Sequence, residues 1–217
     1  MGESANERIS GGKSMNRQSQ IENQKSIRAF IAVPLPSAII QQLADVQRRL
    51  KRGCPEQAVT WVKPENIHLT LCFLGDILPE RRAPIEAALS VVARNARPFT
   101  FSVQGAGAFP NLNRPRVIWI GLEEPTGQLA LLHRAVNEAM ANVGFQPEDR
   151  RFSPHLTLGR IRQRASREEA QAVGEAVRRA EVGHLGDAPV EEMIFFRSVL
   201  KSSGAEYTPL ARFTIKD

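Results

Sequence analysis

The sequence predicts an α+β domain built from two related lobes, and three observations predict it. The tetrapeptide His-Leu-Thr-Leu occurs twice, at 68–71 and 155–158, each time inside a run rich in strand formers. A segment of helical character follows each occurrence, Glu80 to about Asn95 after the first and Arg167 to Glu181 after the second. Strands and helices do not otherwise alternate as a uniform βαβ wind requires. The lobes divide the chain at roughly 27–120 and 121–217, with the terminal strands able to cross between them.

The elements follow in order. Residues 1–26 are rich in Ser, Asn, Gln, Glu, Lys and Arg and have little to bury, so a flexible tail is expected. Ala29 to Val33 reads as a buried strand that Pro34 and Pro36 end. Ser37 is placed to cap the next helix, whose apolar stripe is Ile39, Ile40, Leu43, Val46 and Leu50. A turn at Gly53 to Pro55 leads to a short strand, Val59 to Val62. Ile67 to Leu74 is the next strand, with a turn expected at Gly75-Asp76. Phe99, Phe101 and Val103 alternate with polar residues up to a break at Gly105-Ala106-Gly107, and Arg116 to Leu122 is a further strand. Pro125-Thr126-Gly127 opens a helix with Leu129, Leu132, Val136 and Met140 on one face. His155 to Ile161 forms a strand, and two more, near Val190 to Leu200 and Glu206 to Ile215, close the chain.

Composition narrows the function classes. The 217 residues, 42% of them hydrophobic, suffice for one compact domain or two small lobes sharing a groove. No run approaches the roughly 20 apolar residues that span a bilayer, so no membrane partner is expected. The N-terminus lacks an apolar signal core, and Glu3, Glu7 and Glu22 spoil the acid-poor pattern of a transit peptide. Two cysteines, Cys54 and Cys72, without a CxxC, fit a reduced cytoplasmic chain. The net charge of +6 favours an anionic partner. There is no Gly-x4-Gly-Lys-Ser/Thr, and Gly105-Ala106-Gly107 is too short for a dinucleotide loop. An ATP-dependent ligase with a covalent lysine therefore has no support.

The chemistry lies in the repeated tetrapeptides. In a strand, side chains at i and i+2 share a face. His68 and Thr70 therefore point together, with Leu69 and Leu71 behind them, and His155 and Thr157 repeat this over Leu156 and Leu158. Two such faces across one groove suit the hydrolysis of a phosphodiester. One neutral imidazole deprotonates a water attacking phosphorus, and the other, protonated, protonates the leaving oxygen. Threonine hydroxyls can donate to the phosphoryl oxygens as charge builds there. This scheme needs no metal and no cofactor. By the same alternation Cys72 joins the His68 face and Phe73 the core face. Phe30 reads as core, His133 as packing at a helix edge and His184 as loop. Arg114, Arg116, Arg150, Arg151 and Arg162 are candidates for a basic rim toward an anionic partner.

These residues make the chain resemble the two-histidine phosphoesterase superfamily, defined by two His-x-Thr/Ser-x motifs. Within it the chain is similar to the RNA 2′,3′-cyclic phosphodiesterase branch, also called 2′-5′ RNA ligase. Arg28 to Ala32, Trp61 to Asn66, Phe73-Leu74-Gly75, Gly107 to Asn111, Arg114 to Trp119, Phe152-Ser153-Pro154 and Gly204 to Tyr207 carry the resemblance beyond the tetrapeptides. It spans about Ile27 to Ile215. The resemblance implies two pseudo-symmetric lobes, each an antiparallel sheet with flanking helices, around a central groove. It implies conversion of a 2′,3′-cyclic phosphate to a 2′-phosphomonoester, with His68 and His155 as catalytic pair in unassigned acid and base roles. It further implies that Arg160 contacts the substrate phosphate or base, and that Phe73 stacks a base, against the core reading above. The partners implied are RNA ends or nucleotides with a 2′,3′-cyclic phosphate, tRNA fragments among them, met by a cytoplasmic monomer. Reversible 2′-5′ ligation at the same site and non-catalytic RNA-end binding are the competing readings.

Overall fold

Residues 26–146, 151–201 and 204–216, which a computed structural model of the chain describes, fold into nine strands and four α-helices. The expected tail, apart from Ser26, and Arg150 lie outside the described residues. The strands are β1 (Ile27–Val33), β2 (Val59–Trp61), β3 (Leu69–Ile77), β4 (Phe99–Phe109), β5 (Val117–Glu123), β6 (His155–Ile161), β7 (His184–Val190), β8 (Glu192–Lys201) and β9 (Gly204–Thr214). The helices are α1 (Ser37–Gly53), α2 (Arg82–Asn95), α3 (Gln128–Asn142) and α4 (Arg167–Arg179). This is the α+β class the sequence predicts.

All strands join one antiparallel sheet in the order β7-β4-β5-β6-β3-β1-β8-β9, with β2 paired to the far end of β6. The centre of that order is its weakest link. β3 and β6 meet at a single residue pair, Leu69 opposite Leu156. On one side lie β1, β8 and β9 and on the other β5, β4 and β7, so the sheet is two four-stranded halves, the β6 half extended by β2, hinged at the tetrapeptides. The halves interleave the chain. β4, which follows α2, pairs with β5, and β8, from the other end of the sequence, pairs with β1. Helices α1 and α4 cover the β4–β7 side, while α2 and α3 cover β3, β8 and β9. Leu69, Leu71, Leu156 and Leu158 are all buried beneath them. Burying a leucine fully is worth about 1.5–3 kcal/mol, so each tetrapeptide is anchored from behind.

Several local expectations are corrected. Ser37 is not the cap of α1. Pro36 is, its carbonyl accepting from Ile40 N–H, and Ser37 makes no capping bond. The expected turn at Gly75 and the expected break at Gly105 are both bulges within continuing strands. These glycines take φ +68° and +69°, and β3 and β4 run on to Ile77 and Phe109. A left-handed glycine absorbs the extra residue of a bulge without a Cβ clash, so pairing resumes instead of reversing. His184 opens the strand β7, whose Gly, Asp and Pro content reads as loop, and which is ordered by pairing along β4 at the sheet's edge.

Candidate active site

The register of the two tetrapeptide strands sets the site. Antiparallel pairing of Leu69 with Leu156 aligns His68 with Thr157 and Thr70 with His155, on the face opposite the leucines. Because only that pair is formed, the strands diverge on either side and open a groove of about 490 Å³. His68, Thr70, Phe73, His155, Thr157 and Arg160 all line it. The structure thus brings the two His–Thr pairs, Phe73 and Arg160 together in one groove, whereas the rim candidates Arg114, Arg116, Arg151 and Arg162 do not line it.

Each imidazole is oriented in the same way. His68 Nδ1 donates to the Asn66 carbonyl at 2.7 Å, and His155 Nδ1 donates to the Ser153 carbonyl at 2.7 Å. A carbonyl can only accept, so Nδ1 carries hydrogen in both rings and Nε2 holds the lone pair of the neutral form. Asn66 is itself tied to β9, its Nδ2 donating to the Ala205 carbonyl.

The surroundings of the two rings differ. His68 stacks on Phe30 at 4.7 Å and meets the edge of Tyr207 at 5.3 Å, with Phe196 stacked behind Phe30. Burial there pushes the His68 pKa down to about 4, against a smaller upward pull from the Asn66 carbonyl. Among the described residues His155 has one aromatic neighbour, Phe109, at 4.9 Å. Its pKa is also lowered, first by burial, with the Ser153 carbonyl pulling it up and the Arg160 charge adding to the decrease.

Two bulges explain how Phe73 and Arg160 reach the groove. β1 pairs Ala32 with Thr70 and then Ile31 with Cys72, so Leu71 is the extra residue. β5 pairs Trp119 with Thr157 and then Ile118 with Gly159, so Leu158 is the extra residue. Both interruptions fall on the fourth residue of the tetrapeptide. Leu71 and Cys72 are consecutively buried, as are Leu158 and Gly159, and the alternation is shifted by one thereafter. Phe73, placed on the core face by strict alternation, is therefore 57% exposed at the groove, and Arg160 occupies the equivalent place. Cys72, expected on the His68 face, is buried in the core and borders a neighbouring cavity instead.

Two side-chain amides hold these bulges. Gln47 of α1, buried among apolar residues, donates from Nε2 to the carbonyls of Leu158 and Val62, both at 2.8 Å. Asn137 of α3 donates from Nδ2 to the Leu71 carbonyl at 3.1 Å and to the His133 carbonyl. Sequence reasoning missed both, although a glutamine inside the stripe of Leu43, Val46 and Leu50 is a readable signal. It also missed Arg28 and Tyr207, which line the groove. Phe30 is core, as expected, and also forms groove wall. A second cavity of about 460 Å³ shares Thr70, Phe73, His155 and Arg160 with the groove and continues to His133, which stacks on Phe152 at 3.7 Å.

The chain is similar to known proteins along most of its length. The model of the LigT-like phosphoesterase family matches the chain twice, over residues 33–119 and 120–205. An RNA 2′,3′-cyclic phosphodiesterase of Methanothermobacter thermautotrophicus is 35% identical over 190 residues, covering 87% of this chain and 99% of its own. Among solved structures, a Thermus thermophilus protein superposes with TM-score 0.72 at 28% identity, covering 87% of this chain and 98% of that one. The E. coli LigT complexed with 3′-AMP superposes with TM-score 0.68 at 25% identity, over 88% and 98% respectively. The chain belongs to the LigT-like phosphoesterase family.

Proposed function

We propose that the groove hydrolyses 2′,3′-cyclic phosphates on RNA ends or nucleosides to 2′-phosphomonoesters, with no metal. The observation that carries this reading is the pair of like-oriented imidazoles, each presenting Nε2 beside a threonine hydroxyl. The activity named for the Methanothermobacter relative supports it. One neutral Nε2 takes a proton from water as its oxygen bonds to phosphorus. The other imidazole, protonated, delivers a proton to the ribose 3′ oxygen as the P–O3′ bond breaks, leaving a 2′-phosphate and a 3′-hydroxyl. Thr70 and Thr157 donate to the non-bridging oxygens, where negative charge grows. A bound anionic phosphate raises the proton affinity of both rings and so counters the effect of burial. Arg160 adds a fixed positive charge, and Phe73 a flat surface for a base. In this reading the enzyme is a cytoplasmic monomer, and tRNA fragments are among its RNA ends.

Chelator-treated protein should convert a nucleoside 2′,3′-cyclic phosphate to the 2′-phosphate, with the product position read by phosphorus NMR. His68→Ala and His155→Ala should each lower kcat/KM by about 10²–10⁴, the usual worth of a general acid or base. Full activity in either variant, or a 3′-phosphate product, refutes the mechanism.

A further inference from the structure

Beyond the groove, β6 leads onto a surface of arginines that the reaction above leaves unused. Arg160 borders the groove and also a shallow depression shared with Thr60, Arg162 and Arg164. Arg162 in turn borders a cavity of about 390 Å³ with Arg114, Arg116 and Arg167. The three hollows are thus linked through shared guanidinium residues. Among the described residues no Asp or Glu lines the outer two. None of the six arginines forms an ion pair with a carboxylate among the described residues. Arg162 is the most telling of them, since its Nε is buried with no hydrogen-bond partner among the described residues. Leaving a buried donor unpaired is costly, and Arg162 lines both outer hollows, so its guanidinium is at hand for an anion in either.

The surface is held in shape. Ile161 N–H donates to the Arg116 carbonyl and Arg162 N–H to the Ala58 carbonyl, which stitch the end of β6 to its neighbours. Asn111 Oδ1 accepts from the backbone N–H groups of Asn113 and Arg114, and Arg178 donates to Asn113 Oδ1. Helix α4 approaches this loop so closely that a Cβ on Gly174 would lie 1.9 Å from the Leu112 carbonyl oxygen. The loop bearing Arg114 and Arg116 is therefore fixed against α4. Arg160 and Arg162 are two residues apart along one strand direction, roughly 6.6 Å by the rise of a strand. That suits a row of separate anionic groups better than a single one.

We infer that this arginine track binds the phosphate backbone of an RNA strand whose 2′,3′-cyclic end occupies the groove. The inference rests on the proposed activity and deepens it, because the preferred substrate becomes an oligonucleotide end instead of a mononucleotide.

The test compares a nucleoside 2′,3′-cyclic phosphate with an oligoribonucleotide of about ten residues ending in the same group. Wild-type kcat/KM should be at least tenfold higher for the oligonucleotide at low salt and fall more steeply with salt. In the Arg114→Gln/Arg116→Gln/Arg162→Gln variant the oligonucleotide advantage should vanish while the mononucleotide rate stays. The slope of log kcat/KM on log salt should flatten by about 2, since each single-strand phosphate contact contributes roughly 0.7. The exposed pair Arg114→Gln/Arg167→Gln should show about two-thirds of that flattening, which guards against misfolding of the triple variant. Fluorescence anisotropy of a labelled oligonucleotide against salt reads the same contacts without turnover, so an inactive wild type refutes the proposed reaction and leaves the track measurable. Unchanged oligonucleotide binding in both variants overturns the inference. So does loss of the oligonucleotide advantage in Arg151→Gln, on the other cavity, with the track variants unaffected.

Discussion

The half-site on β3 and the half-site on β6 use one backbone plan and furnish it differently. Each has a histidine tied through Nδ1 to the carbonyl two residues earlier, a threonine on the same face, a bulge at the fourth residue and an amide from a crossing helix on that bulge. After the bulge, one half-site offers Phe73 and the other Arg160. Around the imidazole, one has Phe30, Phe196 and Tyr207, and the other has Phe109 and the Arg160 charge. The repeated backbone brings both histidines to one groove, and the differing side chains make their surroundings unequal. The proposed reaction has a use for that inequality, since one oxygen attacks and another leaves.

The largest consequence concerns protons. His68 has a folded-state pKa of about 4 against an ordinary value of 6.5, so it is neutral in the folded chain where the unfolded chain is protonated. Its folded pKa is depressed, so the unfolded state binds more protons between those two values. Stability is therefore full above pH 6.5, falls as the pH drops towards 4, and levels off below it. The loss over that window is about 3 kcal/mol, from roughly 1.4 kcal/mol per pKa unit. Urea unfolding at pH 7 and pH 4 should show wild type losing about that much more than His68→Phe, which cannot titrate. His155→Phe should differ less from wild type, since that ring is less enclosed. Equal effects at the two positions would break the asymmetry between the half-sites.

A smaller effect is expected from the amide locks. Both amides serve two carbonyls, but Gln47 is almost fully enclosed whereas Asn137 is partly exposed. Gln47→Leu should cost about 2 kcal/mol of unfolding free energy, within the usual penalty of about 1–3 kcal/mol for stranding a buried polar group. Asn137→Leu should cost less. If the locks set the bulges, Gln47→Leu lowers kcat/KM through Arg160 even at temperatures where the chain stays folded. Unaltered kinetics in a folded Gln47→Leu would show that the bulge at Leu158 stands without its amide.

What the sequence reveals of this plan depends on how local each feature is. The helices and the buried strand of Ala29 to Val33 are legible because a 3.6-residue stripe or a continuous apolar run states them directly. The His–Thr faces are legible for the same reason, as i, i+2 pairs over leucines. The bulges are not, because one extra residue leaves no mark in the composition and reverses every facing beyond it. Strict alternation hence puts Phe73 in the core and Cys72 on the groove; Phe73 instead takes the groove place that the family resemblance implies, and Cys72 is buried. The exchange of β4 and β8 between half-sheets is a long-range pairing that no window contains. Strand β7 fails by composition, since His-Leu-Gly-Asp-Ala-Pro-Val has little strand propensity and is ordered by its neighbour.

The finest test of the comparison separates Phe73 from Arg160, which hold equivalent places after equivalent bulges. A flat apolar ring contributes by stacking, about 1–3 kcal/mol per base, and does so only where a base is present. A guanidinium contributes through charge-assisted hydrogen bonds, about 1.5–3 kcal/mol, wherever the phosphate sits. Phe73→Leu should therefore raise KM about tenfold for a nucleoside 2′,3′-cyclic phosphate, with kcat little changed, and leave an abasic ribose 2′,3′-cyclic phosphate unaffected. Arg160→Gln should lower kcat/KM about tenfold or more for both substrates if the guanidinium meets the phosphate, but only for the nucleoside if it meets the base. The pair of substrates thus assigns each residue to one end of the ligand. If both substitutions prove indifferent to the base, the bulges deliver two phosphate-side residues, and the two half-sites are more alike in function than their side chains suggest.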